Sequence, residues 1–373
     1  MRPEKLHALT SLRFFAALAI VMHHCRELFL PPSALLDWPL GQGVSFFFVL
    51  SGFILAYVYP ELKTTRAVLE FWKARIARVW PVHAACLFLL ILLAPQFRVW
   101  NPGPFLLNCF LLHSWAPWPD LFFSFNGPSW SVSTELGFYA LFPVMIKGFC
   151  RNWWKVLTAA AVLLVCLMVA CEVFELPAFD IKTNTISTLS LLYISPLGRL
   201  FEFVVGMCSA VLWTSFRPRM GSNLWWWTMA ELSSVVLVFW VARYGTQHLI
   251  LMAVAGPLPV AAVWLMHAGA FMSFAVLIVT FASGSGLLGR LLSTSPLVFL
   301  GEISYSMYML HQVLIWGYVS NFGWTAPATQ TPTALVCFLS VVLISSAALH
   351  LSIERTCRNM LTQSFALRSS ASN

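Results

Sequence analysis

Long apolar runs broken by short polar connections extend from residue 8 to residue 352 of the chain. They predict membrane spans at 8–29, 43–60, 79–95, 131–148, 156–173, 190–214, 224–241, 249–285, 297–319 and 333–352, most of them near the ~20 residues that cross a ~30 Å hydrocarbon core. The region 249–285 has room for one or two crossings, and a shorter piece, 104–115, reads as an interfacial or re-entrant helix. The pattern predicts an all-α, polytopic transmembrane helix bundle of about ten spans. It forms one domain over 1–360, and the serine-rich 361–373 is a short disordered tail. No repeat of fixed period is visible. Arg2 and Lys5 precede the first run as they would in a secretory signal. Arg13, His23 and His24 inside it, and its continuation into CRELFLPPSALL without a small-residue cleavage site, make it an uncleaved first helix.

Composition agrees with this picture. Of 373 residues, 59% are hydrophobic and 10% charged, with a mean hydropathy of +0.79, against roughly 25% charged in a soluble domain. The net charge of +8 comes largely from basic residues in short connections, which membrane topology explains and nucleic-acid binding does not. Loop 61–78, with Lys63, Arg66, Lys73, Arg75 and Arg78, is placed in the cytoplasm with the N-terminus; Lys147, Arg151, Lys155, Arg217 and Arg219 fall on the same side. Arg355, Arg358 and Arg368 ask for a cytoplasmic tail, which requires an even number of crossings and hence one crossing in 249–285. Nine cysteines show no CxxC or metal-ligand spacing, so no metal site is expected.

The candidate chemistry lies in polar residues inside apolar runs. In RFFAALAIVMHH, Arg13 and His24 are 11 positions apart, so on a helix they share one face within ~20° and stand ~16 Å apart in height, while His23 points ~80° away. An ionisable group within a span costs at least ~2.5 kcal/mol, so both require a polar cavity or a partner, unless Arg13 snorkels and both merely anchor the helix. Ser51-Gly52 sits in mid-span, where small residues permit close helix contact. Arg75 and Arg78 are three apart on one face and offer guanidinium donors to a phosphorylated anion. Glu135 falls at the outer end of the fourth span, on the same side of the membrane as His24. Arg199 and Glu202, three apart, read as an ion pair within one helix. One further helix carries Glu302, Ser304, Tyr305, Tyr308 and His311; interhelical hydrogen bonding is the alternative role for each.

The segments LTSLRFFAALAIVMHH, GVSFFFVLSGFILAYVY, FWKARIARVWPVH, PSWSVSTELGFYALFP, RLFEFVVGM, LGEISYSMYMLHQ and the late IER follow one another in the order and approximate spacing of the membrane-bound acyltransferase family 3, which the chain resembles from about residue 6 to 358. The resemblance implies transfer of an acyl group, most often acetyl, from cytoplasmic acyl-CoA to a sugar hydroxyl of an envelope glycan, exopolysaccharide or lipid-linked acceptor. Acetyl-CoA would be a co-substrate, with no permanently bound cofactor. The family's helix-1 arginine and histidine match Arg13 and His24, its Arg-x-x-Arg pair matches Arg75 and Arg78, and its Trp-Ser-x-Ser-x-Glu carboxylate matches Glu135. Its late Ser-Tyr-x-x-Tyr-x-x-His pattern matches Ser304, Tyr305, Tyr308 and His311, just after Glu302.

On that basis His24 is expected to be the general base, oriented by Glu135 or Glu302. Arg13, Arg75 and Arg78 are expected to hold acyl-CoA, with Ser51, Tyr305, Tyr308 and His311 on the substrate side. The charges would line a conduit for the thioester. Ser45 departs from the family, many of whose members are acidic there, and no esterase-like soluble domain follows the membrane part. The implied setting is a bacterial inner membrane, with acyl-CoA, the glycan acceptor, the lipid bilayer and polysaccharide-assembly proteins as partners and no nucleic acid. The competing class is a secondary transporter or flippase using the same buried residues, though its matching halves with interrupted helices are not apparent. A catalytically silent relative within a glycan-assembly complex is a third reading.

Overall fold

The computed structural model describes residues 4–29, 38–98, 101–178, 184–217, 223–256, 259–323 and 331–357; the tail expected at 361–373, with Arg219, Arg358 and Arg368, lies outside them. Among the described residues the chain is helical and has no strand. In chain order the α-helices are α1 (His7–Phe29), α2 (Gly43–Val58), α3 (Thr65–Leu93), α4 (Pro102–Cys109), α5 (Pro119–Phe122), α6 (Trp130–Met145), α7 (Phe149–Val173), α8 (Pro196–Phe216) and α9 (Leu224–Trp240), followed by α10 (Thr246–Ala255), α11 (Ala261–Ala268), α12 (Phe271–Ser283), α13 (Leu287–Leu292), α14 (Ser295–Phe322) and α15 (Pro332–Leu349). Single π-helical turns lead into α8 at Ser190–Ile194, join α9 to α10 at Val241–Gly245 and follow α15 at His350–Glu354.

Eight helical stretches are long and apolar enough to cross a membrane. They match eight of the ten expected spans; the other two correspond to α6, whose 16 residues extend only ~24 Å, and to α14, whose 28 residues are long enough but carry the polar residues noted above. The ambiguous region resolves simply: α10 continues α9 through the π turn, and Ala261–Ser283 is the one separate span. Large apolar side chains such as Phe239, Trp240 and Ile344 face outward around the bundle, the surface expected against lipid. The protein is a multi-pass membrane protein.

Two expectations change. Residues 65–78 are not loop but the first half of α3, a helix of 29 residues and ~43 Å. Thr64 caps it by accepting from Ala67 N at 3.1 Å, Arg66 pairs with Glu70 one turn on, and Leu69, Trp72, Ile76 and Trp80 form an exposed apolar stripe. With that stripe outward, Arg75 and Arg78 are carried inward. Likewise 104–115 is not one helix: α4 ends at Cys109, and Leu111 takes φ +54°. The chain from 102 to 129 then folds into the bundle, where His83 Nε2 meets Asn108 O at 2.8 Å and Asn126 Nδ2 donates to Met309 O at 2.9 Å. Consequently α6 starts deep, beside the middle of α14, and not at the far surface.

Where α2 crosses α8 the two helices are in backbone contact. A Cβ on Gly52 would stand 1.9 Å from Phe203 O, and one on Gly206 would stand 1.9 Å from Val49 O, so the two backbones touch and a side chain fits at neither position. Gly301 of α14 is in the same contact with Thr10 O of α1, at 1.9 Å. Overpacking of this kind costs about 1–3 kcal/mol or more. Gly206→Val is therefore expected to lower the thermal unfolding midpoint in detergent by several degrees or to abolish accumulation. Gly127→Ala, with no atom within 4 Å of the new methyl, should leave both unchanged.

Candidate active site

A cavity of about 840 Å³ runs between α1, α2, α3, α6 and α14. Its rim includes the exposed Glu4, Lys5 and His7 at the start of α1 and Tyr59 just past α2, and Glu4 is held there by an ion pair with Arg217. Of the ten residues given an expected role in the site, eight line this one space: Arg13, Ser51, Arg75, Arg78, Glu135, Glu302, Tyr305 and Tyr308. They come from five helices, so the juxtaposition is a product of packing.

The cavity's polar groups are unevenly satisfied. Glu135 Oε1 accepts from Ser51 Oγ at 2.7 Å and from Tyr139 Oη at 2.6 Å. Tyr305 Oη donates to Val79 O at 2.7 Å, and Tyr308 Oη lies 2.6 Å from Ser131 Oγ and 2.9 Å from Pro128 O. Glu302 is exposed at the wall. Arg75 reaches Tyr59 Oη at 3.4 Å, with its guanidinium 5.6 Å over that ring. Arg13 and Arg78 make no hydrogen bond or ion pair within the described residues; each repels the other across the space, and Glu354 and Glu135 partly offset this at Arg13. Two guanidiniums facing a cavity without a protein acceptor suit a multiply charged anion.

His24 and His311 lie outside this lining. They meet each other beyond its inner end: His311 Nε2 is 3.1 Å from His24 Nδ1, with ring centroids 5.1 Å apart. The end itself is made by Phe47 and Tyr308, whose rings are 6.2 Å apart, and Tyr308 in turn stands 5.9 Å from His311. His23 instead packs on Gly41. The expected carboxylate partner of His24 is corrected: neither Glu135 nor Glu302 bonds it. Glu302 is nine residues before His311 on α14, ~13.5 Å away along the axis. Glu135, on a helix that starts at the depth of Tyr308 and runs toward the rim, bonds Ser51 and is close enough to act on the charge of Arg13, so its expected place at the outer end of the fourth span, on the His24 side of the membrane, is corrected as well.

Two features go beyond the sequence reading. Glu354, in the IER segment but given no role there, lines the cavity, pairs with His350 Nδ1 at 3.0 Å and accepts from Ser306 Oγ at 2.9 Å. A histidine and a glutamate four apart at the end of an apolar run were the available signal. Ser45, the departure from the family pattern, donates to Glu202, which pairs with the fully buried Arg199 at 2.7 Å (Nε–Oε2). Arg199 also lies over Phe48 and Tyr193, at 5.1 and 5.2 Å from the ring centroids. Ser45, Arg199 and Glu202 are not part of the cavity's lining, which this cluster touches only through Phe48. Among the described residues no group of His, Cys, Asp and Glu is placed to hold a metal ion.

A family profile described as an acyltransferase domain matches residues 6–351. The chain belongs to this acyltransferase family. It is 29% identical to the acyltransferase MdmB of Streptomyces mycarofaciens, over 96% of this chain and 93% of that protein. It is 25% identical to the O-acetyltransferase OatA of Staphylococcus aureus (strain NCTC 8325 / PS 47), over 84% of this chain and 51% of OatA, so the match covers about half of that relative. No solved structure matches.

The Arg199–Glu202 pair makes a sharp stability prediction. Glu202→Ala leaves a buried guanidinium uncompensated and is expected to cost about 3–5 kcal/mol, whereas replacing both partners by apolar residues, Arg199→Met with Glu202→Leu, should recover most of it. Thermal unfolding and the yield of monodisperse protein in detergent measure both.

Proposed function

We propose that this acyltransferase moves an acyl group, acetyl in the first instance, from cytoplasmic acyl-CoA to a sugar hydroxyl of an envelope or exported polysaccharide or a lipid-linked sugar, with His24 as general base. The observation that carries the reading is that Arg13, Arg75 and Arg78 share one cavity whose far end adjoins the His24–His311 pair. The CoA phosphates dock on the guanidiniums near the rim. The ~16 Å rise from Arg13 to His24 is spanned by the flexible arm that carries the thioester, which passes Phe47 and Tyr308 at the cavity's end. In this reading the rim faces the cytoplasm of a bacterial inner membrane, supported by Lys5 on the rim, by Arg217 paired with Glu4 there, and by Lys63 and Lys147 lying together just past the ends of α2 and α6. The acceptor approaches from the opposite side, and assembly proteins of the polysaccharide are its natural partners.

In the transfer, the hydroxyl proton passes to His24 as the oxygen forms a bond to the thioester carbonyl carbon. The carbon–sulfur bond then breaks, and the departing thiolate takes the proton from the imidazolium. The enzyme ends unchanged, with one ester and one free CoA formed. Ser51 and Tyr139 fix Glu135 in the wall, where its charge, with that of Glu354, keeps the arginines from repelling one another out of position.

Membrane vesicles of cells expressing the protein, given radiolabelled acetyl-CoA, should incorporate label that mild alkali releases. His24→Ala is expected to lower this by at least about 10²-fold with normal folding, and His23→Ala to leave it intact; transfer by His24→Ala at the wild-type rate overturns the assignment. In the cofactor clamp, loss of charge-assisted bonds worth about 1.5–3 kcal/mol each predicts that Arg75→Ala with Arg78→Ala raises the KM for acetyl-CoA tenfold or more. An unchanged KM removes that role.

A further inference from the structure

His24 has a histidine where the sequence reading expected a carboxylate, and the difference has chemical content. A neutral imidazole carries one N–H, so two neutral rings sharing a hydrogen bond must take complementary tautomers. If His311 Nε2–H donated to His24 Nδ1, the single proton of neutral His24 would sit on Nε2, and that nitrogen would accept nothing. If His24 Nδ1–H donates to His311 Nε2, His24 Nε2 keeps its lone pair. The reading of His24 as base selects between them, because His24 can take a proton on Nε2 only while that nitrogen keeps its lone pair. His24 Nδ1 then carries the ring's proton, and His311 Nε2, 3.1 Å away, is its acceptor. The proton of neutral His311 sits on its Nδ1, inside a fully buried ring.

We propose that His311 is the positioning residue of the acyl transfer: by accepting from His24 Nδ1–H it fixes the tautomer and ring orientation that present His24 Nε2 to the acceptor hydroxyl. The inference rests on the reading of His24 as the base. His311 itself gains and loses no atom. The hydroxyl proton goes to His24 Nε2 and from there to the leaving thiolate, while the bond to His311 shortens and relaxes. A neutral acceptor stabilises the transient imidazolium less than a carboxylate would, so the proton is readily surrendered to the thiolate. The groups around the pair are His23 and Arg26 on α1, and Tyr308 on α14, which joins the pair to the end of the cavity.

The test compares His311→Leu, His311→Gln and His311→Asn with wild type and His24→Ala, in the vesicle assay with radiolabelled acetyl-CoA, after folded protein has been measured by size-exclusion chromatography in detergent. His311→Leu is expected to lower kcat on the order of 10²-fold, with the KM for acetyl-CoA within about twofold of wild type because the arginine cavity is untouched. His311→Gln, whose amide oxygen reaches the place of Nε2, should regain at least tenfold of that loss; His311→Asn, whose amide stops at the place of Nδ1, should not. Wild-type kcat in His311→Leu overturns the proposal, as does a Gln variant no better than the Leu or Asn variant. Should the Leu variant fail to fold, the Gln and Asn variants decide by themselves. An inactive His24→Ala with a fully active His311→Leu removes only the role of His311, whereas an active His24→Ala removes the reading of the base.

Discussion

An ionisable side chain inside a membrane span costs at least ~2.5 kcal/mol when nothing compensates it, and this bundle places arginines, glutamates and histidines along its interior. Each must be matched where it sits, and the matches organise the molecule. Arg199 is closed off by Glu202, Ser45 and two rings. Glu135 is tied to Ser51 and Tyr139, and Glu354 to His350 and Ser306. Arg13 and Arg78 are left facing a cavity, and that incomplete matching marks the candidate site off from the scaffold.

Close packing makes the arrangement possible. Interhelical contact in lipid gains nothing from expelling water, so association depends on shape. The backbone-to-backbone contacts at Gly52, Gly206 and Gly301 bring α1, α2, α8 and α14 close enough for side chains of different helices to reach one another. The same closeness carries His311 to His24. The re-entrant stretch from 102 to 129 contributes differently: by filling the bundle at mid-depth it lowers the start of α6, which moves Glu135 from the histidines toward the arginines.

Much was legible in the chain. The apolar runs gave the helices, and eight of the singled-out residues line one cavity, because an ionisable residue within an apolar run has few other places to be. What misled was local. Arginines at 75 and 78 suggested loop, since charge density outweighed the weaker apolar stripe on the opposite face of the same helix. Glu135 was assigned to a membrane depth by assuming a full-length span, but depth belongs to the connection that precedes the helix. Glu354 went unassigned because its four-residue partnership with His350 looks like any surface pair until both are seen buried.

The sequence by itself determined that this is an all-helical chain for a membrane, which residues are too polar to face lipid, and, through its ordered motifs, the acyltransferase family. Those properties are carried by composition, periodicity and short spacings along one helix. Only the tertiary structure decided which polar residues meet: arginines from α1 and α3 around one cavity, a glutamate with a serine 84 positions earlier, a histidine with another 287 positions away. The physical reason is that helical periodicity specifies a direction about a helix's own axis, whereas the rotation, depth and crossing of two helices are set by side-chain and backbone fit over their whole contact.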